Sequence, residues 1–545
     1  MTNQVPPLPD RDALASDPAL AEAVARWVGP HDAAGALALH DLGRLAGSAE
    51  PRRWADDADR YTPVLRTHAP SGERVDEVDY HPAYHRLMEV AVGHGLTAEA
   101  WTRPEGSGAH ARRAAGFVLW SQVEAGHTCP VSMTYAAAPA LTASPDVARG
   151  WLPGLASRAY DPALRPHADK PGLTLGMGMT EKQGGSDVRA NTTRATAHPG
   201  GPLDGETHLL TGHKWFCSAP MSDGFLVLAQ TDAGVGCFLL PRVLDDGTRN
   251  DIRIQRLKDK LGNRSNASSE IELDGAWAVR VGDEGRGIRT IIDMVASTRL
   301  DCVLGSTGTM RAALVRAVHH ARHRSAFGSL LVDQPLMRNV LADLSLEAEA
   351  ATVLAMRLAH AVDAGEHDLV RLGVALGKFW VCKRTAPMVA EALECLGGNG
   401  YVEENGLARL YREAPLNSIW EGSGNVNALD VLRALTREPA SLAALGKELA
   451  LARGHDAVLD VAIDECEQAG GRALEADAPW AARRIVERLA VTLQAALLVQ
   501  HSPGPVADAF VASRVRGEHG ATFGTLGSQV GPGAVDALLE RALAG

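Results

Sequence analysis

The chain has 545 residues, of which 46% are hydrophobic and only 5% aromatic, and a formal net charge of −12. This length predicts two to four domains with a large buried core, and the negative charge excludes a general attraction to nucleic acid or anionic lipid. The seven cysteines are odd in number and lack a Cys-x-x-Cys pair, which argues against a disulfide framework or a zinc site. No segment has the pattern of a signal peptide or a membrane span. We therefore predict a cytoplasmic protein with no metal and no membrane partner.

Helical and β-rich blocks alternate along the chain. Residues 1–15 are predicted to be a flexible arm, and residues 16–170 show helical periodicity. From about residue 173 short β-rich runs follow, separated by Gly, Asp and Asn, which predicts a small barrel or sandwich. The predicted strands are Thr207–Trp215, Gly224–Gln230, Gly236–Leu240, Ile252–Leu257 and Ser268–Leu273.

Long helical patterns return at residue 288. The predicted helices are Ile288–Arg322, Pro335–Ala364 and Leu369–Leu396. Three such helices in succession predict an antiparallel bundle, and a last helical region covers 441–545 with breaks at 476–479 and 502–505. The predicted fold class is mainly α with a central β domain. The predicted domains are an N-terminal helical domain (1–172), a β domain (173–285), a helical bundle (286–440) and an extra C-terminal helical domain (441–545).

Two segments of the β block have the residues of a flavin site. Residues 176–187 read Gly-Met-Gly-Met-Thr-Glu-Lys-Gln-Gly-Gly-Ser-Asp. Glycines expose backbone N–H groups at close range, so this loop can bind the polar edge of a flavin ring. Residues 214–218 read Lys-Trp-Phe-Cys-Ser, in which an indole beside a hydroxyl suits a wall against the same ring.

Residues 420–425, Trp-Glu-Gly-Ser-Gly-Asn, place one carboxylate on a glycine-rich turn. A carboxylate there is a good general base because the glycines let the backbone approach a ligand. By itself the motif is more typical of a plain turn. Two further motifs are Arg324-Ser-Ala-Phe-Gly, where an arginine after a long helix can grip a pyrophosphate, and Gly397-Gly-Asn-Gly-Tyr, which is also typical of ordinary helix capping.

These segments, in this order, resemble the acyl-CoA dehydrogenase family of FAD flavoenzymes. The resemblance implies an N-terminal helical domain, a small β-barrel and a four-helix bundle, with Glu421 as the base that removes the substrate Cα proton. The cofactor-binding residues it implies are Met179, Thr180, Gly185, Ser186, Trp215, Ser218, Arg324, Phe327, Gln334, Gly397, Gly398, Ser423 and Asn425. The substrate-binding residues it implies are Ser186, Arg299 and Arg433.

Four segments, 176–187, 256–269, 334–337 and 410–425, resemble one branch in particular, the adaptive-response proteins induced by alkylation, whose chemistry is similar to that of isovaleryl-CoA dehydrogenase. The resemblance implies a flavin-bound homotetramer with weak activity on a short or branched acyl-CoA and a DNA-binding C-terminal domain. Two alternatives remain open. One is a DNA-binding protective protein with a mainly structural flavin, and the other is an acyl-CoA oxidase or flavin monooxygenase on the same fold.

Several residues depart from what the resemblance implies. Ala296 stands where many relatives have an acid that helps to hold pantetheine, and Arg433 is close enough in sequence to pair with Glu421 and weaken the base. Residues 431–545 contain 11 Lys and Arg against 14 Asp and Glu, a net charge of −3 that argues against phosphate binding. The basic run 256–264 includes Asp259 and is interpreted as a surface loop. No motif specifies the acyl chain length or the electron acceptor.

Overall fold

The computed structural model describes residues 3–199 and 207–543. The chain forms two compact units. The helical unit comprises Met1–Pro51, Glu105–Val123 and Arg299–Gly545, and the barrel unit comprises Arg52–Pro104 and Glu124–Thr298. No helix in the described ranges is both long enough and apolar enough to span a bilayer. The four-domain division stays a prediction.

The α-helices are α1 Pro18–Trp27, α2 Ala33–Ala46, α3 Ala49–Arg60, α4 Pro82–Gly93, α5 Ala109–Ser121, α6 Thr128–Leu141, α7 Pro145–Leu155, α8 Gly287–His323, α9 Pro335–Asp363, α10 His367–Glu394, α11 Leu407–Glu413, α12 Gly424–Arg437, α13 Pro439–Ala450, α14 Ala457–Glu467, α15 Ala469–Arg472, α16 Ala478–His501, α17 Gly504–Phe510 and α18 Pro532–Leu543. The strands are β1 Val64–His68, β2 Arg74–Asp79, β3 Leu175–Gly178, β4 Arg194–Ala197, β5 Thr207–Ser218, β6 Gly224–Thr231, β7 Gly234–Pro241, β8 Ile252–Leu257, β9 Ser268–Val281, β10 Ser325–Ala326 and β11 Ser329–Leu330.

The sheet of the barrel unit closes on itself. Its strands run β6-β4-β5-β9-β7, and β7 pairs back with β6, while β3 adds to β6 and β8 adds to β9. Strands of a small barrel alternate inward and outward side chains, and the inward ones fill the interior. Leu210, Phe225, Phe238 and Ile271 form part of this buried core. The prediction of a small barrel is therefore confirmed.

Close packing of long helices organises the helical unit. Helix α10 packs against α9, α12, α13 and α16. Gly377 of α10 lies where three helices meet, because a Cβ there would be 3.3 Å from Leu358 of α9 and 3.4 Å from Val303 of α8. The predicted long helices match α8, α9 and α10 to within two residues at each end. The mainly helical fold with a central β region is confirmed.

One predicted block is wrong in part. Residues 64–79 form the antiparallel hairpin β1–β2 rather than helix. Its turn contains Pro70, Ser71 and Gly72, with Gly72 at φ +87°, and this turn chemistry stops a helix from continuing. Val78 of β2 packs into the barrel core, so tertiary burial fixes the hairpin.

Candidate functional site

The signature loop of the barrel unit stands on a buried carboxylate. One oxygen of Glu181 accepts a bond from Lys214 Nζ at 2.7 Å and from Thr193 N at 3.2 Å. Its other oxygen accepts from Thr192 N at 2.6 Å and from Thr192 Oγ1 at 2.9 Å. Asn191 donates to the Met179 carbonyl at 2.9 Å. The base of the loop is therefore held in place, while residues 182–190 between these anchors are mostly exposed to solvent.

The Glu181–Lys214 ion pair is fully buried, with both side chains 0% exposed. Burial opposes ionisation of Glu181, but bonds from Lys214, Thr193 and Thr192 outweigh it and lower the pKa of this carboxyl to about 2. Glu181 is therefore ionised, and its role is to hold the base of the loop in place. The sequence motif contained it, but only the structure separates its role from that of the neighbouring Thr180.

The predicted flavin wall lies beside this loop. Trp215 N donates to the Thr180 carbonyl at 2.8 Å, so the wall and the loop are joined. A Cβ on Gly185 would lie 2.4 Å from Thr180 Oγ1, so a larger residue there would displace the Thr180 side chain. Ser218 Oγ lies 3.0 Å from Ser268 Oγ. The barrel unit thus brings together the predicted residues of the loop and of the wall, and their donors suit the polar edge of a flavin.

A cavity of about 610 Å³ in the barrel unit has three arginines in its lining, Arg189, Arg286 and Arg289. Within the described part of the chain, none of the three forms an ion pair with a carboxylate. Val235 and Ile292 contribute apolar surface to the same cavity. Exposed guanidinium groups beside apolar surface suit a ligand that carries phosphates on an apolar arm. We did not predict these residues from the sequence, because they are separated along the chain and only barrel closure unites them.

The predicted base lies on a strained turn of the helical unit. Glu421 has φ +58°, a left-handed conformation that is costly for a residue with a side chain. Three side chains hold the carbonyl oxygens of this turn. Arg299 Nε donates to Glu421 O at 3.0 Å, Lys378 Nζ to Gly422 O at 3.0 Å, and Asn427 Nδ2 to Gly422 O at 2.6 Å. Such over-determined strain is typical of functional sites.

A partly buried charge network holds Arg299 in place. Asp430 accepts from Arg299 at 2.8 Å and from Arg371 at 3.0 Å. Burial opposes ionisation of Asp430, but the charges of the two arginines outweigh it and lower its pKa. Arg433 lies 3.5 Å from the same carboxylate and is 59% exposed. Arg299 therefore positions the Glu421 turn, while its contact with substrate and the pairing of Arg433 with Glu421 stay predictions.

Cys302 is a thiol whose pKa is affected by the charge of Glu421, and it does not compete with Glu421 as an acid–base group. Burial raises the pKa of Cys302 well above its ordinary value, and the charge of Glu421 adds to this effect. All seven cysteines are buried, and none of them forms a disulfide in the described ranges.

The predicted residues Arg324, Phe327 and Gln334 form a second group at the end of α8. Gln334 Nε2 donates to the Ala326 carbonyl at 2.8 Å across the β10–β11 hairpin. Phe327 sits at the hairpin tip with φ +52° and is 101% exposed. Arg324 donates to the carbonyl of Asn3, so the prediction of a flexible arm fails at this point. An apolar ring presented fully to solvent on a strained turn suits a contact outside this chain.

Four other predicted cofactor residues have exposed or open surroundings. A Cβ added at Gly397 or Gly398 would meet nothing within 4 Å, so a ligand can approach their backbone. Ser423 and Asn425 are exposed at the start of α12, and the Ser423 side chain makes no capping bond to the helix. Neither pair is joined to the other by a described contact, so their convergence on one cofactor stays a prediction.

Three parts of the chain match domains of known protein families. Residues 176–276 match the acyl-CoA dehydrogenase middle domain and residues 285–436 its C-terminal domain. Residues 3–162 match the N-terminal domain of the adaptive response protein AidB. The chain is 44% identical over 513 residues to the putative acyl-CoA dehydrogenase AidB of Escherichia coli strain K12, covering 93% of each chain. The chain belongs to the acyl-CoA dehydrogenase family.

Solved structures support the same membership. The structure of Caenorhabditis elegans ACDH-11 in complex with C11-CoA superposes with a TM-score of 0.83 at 27% identity, covering 99% of this chain and 92% of that one. The apo-form of Bd2924 also has a TM-score of 0.83, at 29% identity, covering 92% of this chain and 100% of that one. Acyl-CoA dehydrogenases are FAD-dependent oxidoreductases that act on CH–CH bonds. The glycine-rich loop and hydroxyl groups of the barrel unit fit that cofactor.

Proposed function

We propose that this protein oxidises the Cα–Cβ bond of a short or branched acyl-CoA to the enoyl-CoA, with Glu421 as the base. FAD, when bound, supplies the acceptor for the hydride that leaves Cβ. In this proposal Glu421 takes the Cα proton, and its backbone N–H polarises the thioester carbonyl. The observation that carries the proposal is the Glu421 turn, whose strained backbone is held by Arg299, Lys378 and Asn427.

The arginine-lined cavity supports a coenzyme A thioester as the substrate class. Coenzyme A joins several phosphate charges to a long pantetheine arm, and the cavity offers three guanidinium groups beside Val235 and Ile292. The C. elegans relative was solved with an acyl-CoA bound. We propose that Arg286 and Arg289, in the lining of this barrel-unit cavity, bind the phosphates through charge-assisted hydrogen bonds.

Two finer parts of the proposal concern assembly and physiology. The exposed Phe327 and the neighbouring Arg324 support a homotetramer in which this hairpin reaches the FAD of another subunit. The match to the AidB N-terminal domain supports a role in the response to DNA alkylation.

DNA binding has less support from the charges. Several arginines of the C-terminal region pair with acids, among them Arg453 with Glu467, Arg488 with Glu465 and Arg516 with Asp456. Paired arginines offer less charge to phosphates.

The role of Glu421 as the base is tested by mixing the protein with isovaleryl-CoA without oxygen and following the rate of flavin reduction. The parent protein with FAD is expected to lose its visible flavin absorbance. Glu421→Gln keeps shape and removes the proton acceptor, so flavin reduction should slow at least about 100-fold, the lower range for a general base. The exposed Glu403→Gln is the matched control. Bleaching of Glu421→Gln at the parental rate would exclude Glu421 as the base.

The substrate class is tested separately by equilibrium binding of the acyl-CoA. Arg286→Gln and Arg289→Gln should each weaken affinity by about tenfold, the effect of losing one charged hydrogen bond. The loss should shrink as salt is added, because salt screens exposed charges. Arg253→Gln, an exposed arginine on β8, is the control. Unchanged affinity in both cavity variants would show that the cavity does not bind coenzyme A.

A further inference from the structure

The basic run 256–264 has a place in the barrel unit that its sequence did not predict. Lys258 Nζ lies 3.6 Å from the centroid of the Trp215 ring, close enough for a strong cation–π contact. Glu270 holds the ammonium at 2.5 Å, and the lysine side chain is only 13% exposed. The interpretation of this run as a solvated surface loop is therefore wrong for Lys258.

A second lysine of the run reaches the other predicted wall residue. Lys260 Nζ donates to the Asn266 carbonyl at 2.6 Å and to Ser268 Oγ at 3.0 Å. Ser268 Oγ lies 3.0 Å from Ser218 Oγ. One hydroxyl therefore separates the Lys260 ammonium from Ser218, and Ser268, which accepts from Lys260, can donate its own proton to Ser218. When the bond runs in that direction, the Ser218 proton is free for a ligand.

The charge of this cluster is positive. Arg256 and Lys258 share the single carboxylate of Glu270, at 2.7 Å and 2.5 Å. The Arg256 guanidinium is 65% exposed and lies 5.8 Å from the Trp215 centroid, so solvent screens it more than Lys258. Lys260 adds a further positive charge on the Ser218 side.

We propose that Lys258 and Lys260 are positioning residues that hold Trp215 and Ser218 against the flavin and raise its reduction potential. The inference rests on the proposed function, in which these two wall residues contact FAD. Lys258 holds the indole through one of its faces, and Lys260 orients the Ser218 hydroxyl through Ser268. Reduction adds electrons to the flavin, and positive charge behind its wall favours that state over the oxidised one.

The test is the midpoint potential of the FAD-loaded protein, measured by dye-coupled reduction without any acyl-CoA. Lys258→Met removes the charge and keeps the length of the side chain. We expect the preference for reduced over oxidised FAD to fall by about tenfold, which lowers a two-electron potential by about 30 mV. Lys258→Arg keeps a cation over the indole and should restore the parental potential. Lys260→Met should lower it in the same direction.

Arg256→Met is the matched control, because it removes one positive charge bonded to the same Glu270 but more exposed and farther from the indole. A potential for Lys258→Met that equals that of Arg256→Met would overturn the proposal, as would a Lys258→Arg potential as low as that of Lys258→Met. If Lys258→Met does not fold, the same comparison is made with Lys260→Met, and a parental potential there overturns the proposal. A parent protein that takes up no FAD refutes the proposed function instead.

Discussion

The replacement Glu181→Gln tests whether the flavin loop is built on its buried ion pair. Glutamine keeps the shape of the side chain and an acceptor oxygen, but it removes the negative charge that compensates the buried Lys214 ammonium, whose other bond is to the neutral Leu228 carbonyl, 2.7 Å away. Breaking a buried pair in this way costs about 3–5 kcal/mol because one charge stays uncompensated. Taking about 4 kcal/mol, the barrel unit should melt roughly 8–16 °C lower, since a unit of this size loses about 2–4 °C per kcal/mol.

The pH dependence of that difference has a definite sign. The Glu181 pKa is about 2 when folded and 4.5 in the reference state. A carboxyl with a lowered folded pKa contributes stability above the unfolded pKa and loses it as the pH falls through the folded one. The difference in unfolding free energy between the parent and Glu181→Gln should therefore have its full size at neutral pH and become smaller between pH 4.5 and 2. By about pH 3.5 it should have shrunk by about 1.4 kcal/mol.

Urea unfolding followed by tryptophan fluorescence and circular dichroism measures this gap at neutral and acidic pH. Asp274→Asn is the matched control, because its pair with Arg253 spans 2.7 Å but is exposed, with side-chain exposures of 60% and 44%. It should cost less than about 1 kcal/mol. A Glu181→Gln protein as stable as this control, or a gap that widens in acid, would refute the reasoning.

Three other outcomes are expected. Gly185→Ala places a Cβ 2.4 Å from a hydroxyl of the same loop, so FAD should dissociate about tenfold more readily, as measured by fluorescence of the released flavin. Lys378→Met removes one of the two side-chain bonds that hold the Gly422 carbonyl of the base turn, so flavin reduction by acyl-CoA should slow about tenfold at unchanged FAD affinity, as measured by anaerobic stopped flow. Burial raises the pKa of Cys217 to about 12, and all seven thiols are buried, so a disulfide reagent should label none of them until denaturant is added.

The two substitutions, Gly185→Ala and Lys378→Met, have matched controls. Gly446→Ala, where an added Cβ meets nothing within 4 Å, should leave FAD binding unchanged. Lys447→Met removes an exposed lysine of α13 and should leave the rate unchanged. Rapid thiol labelling of the native protein would contradict the burial of the cysteines. A Lys378→Met rate equal to that of Lys447→Met would show that the bond from Lys378 to the base turn does not affect catalysis.

Local signals in the sequence were sufficient for much of the fold. Long uninterrupted helical periodicity located α8, α9 and α10, and β-rich runs between Gly, Asp and Asn located five strands of the barrel. The strand Ile252–Leu257 has the same bounds in the sequence and in the structure. The hairpin β1–β2 was missed because its stability comes from burial of Val78 in the barrel core, which lies far away in sequence.

The sequence by itself determined the family and the position of its glutamate turn, because glycine-rich loops have fixed spacing and need particular residue types. Only the tertiary structure decided which charged side chains do structural work. Glu181 and Lys214 are 33 residues apart, and Arg299 meets the Glu421 carbonyl across 122 residues. Lys258 looked like part of a solvated basic run until the barrel brought it over Trp215. The sequence gives the sign of each charged side chain. The contribution of that charge to stability depends on its burial and its partners, which only the folded structure defines.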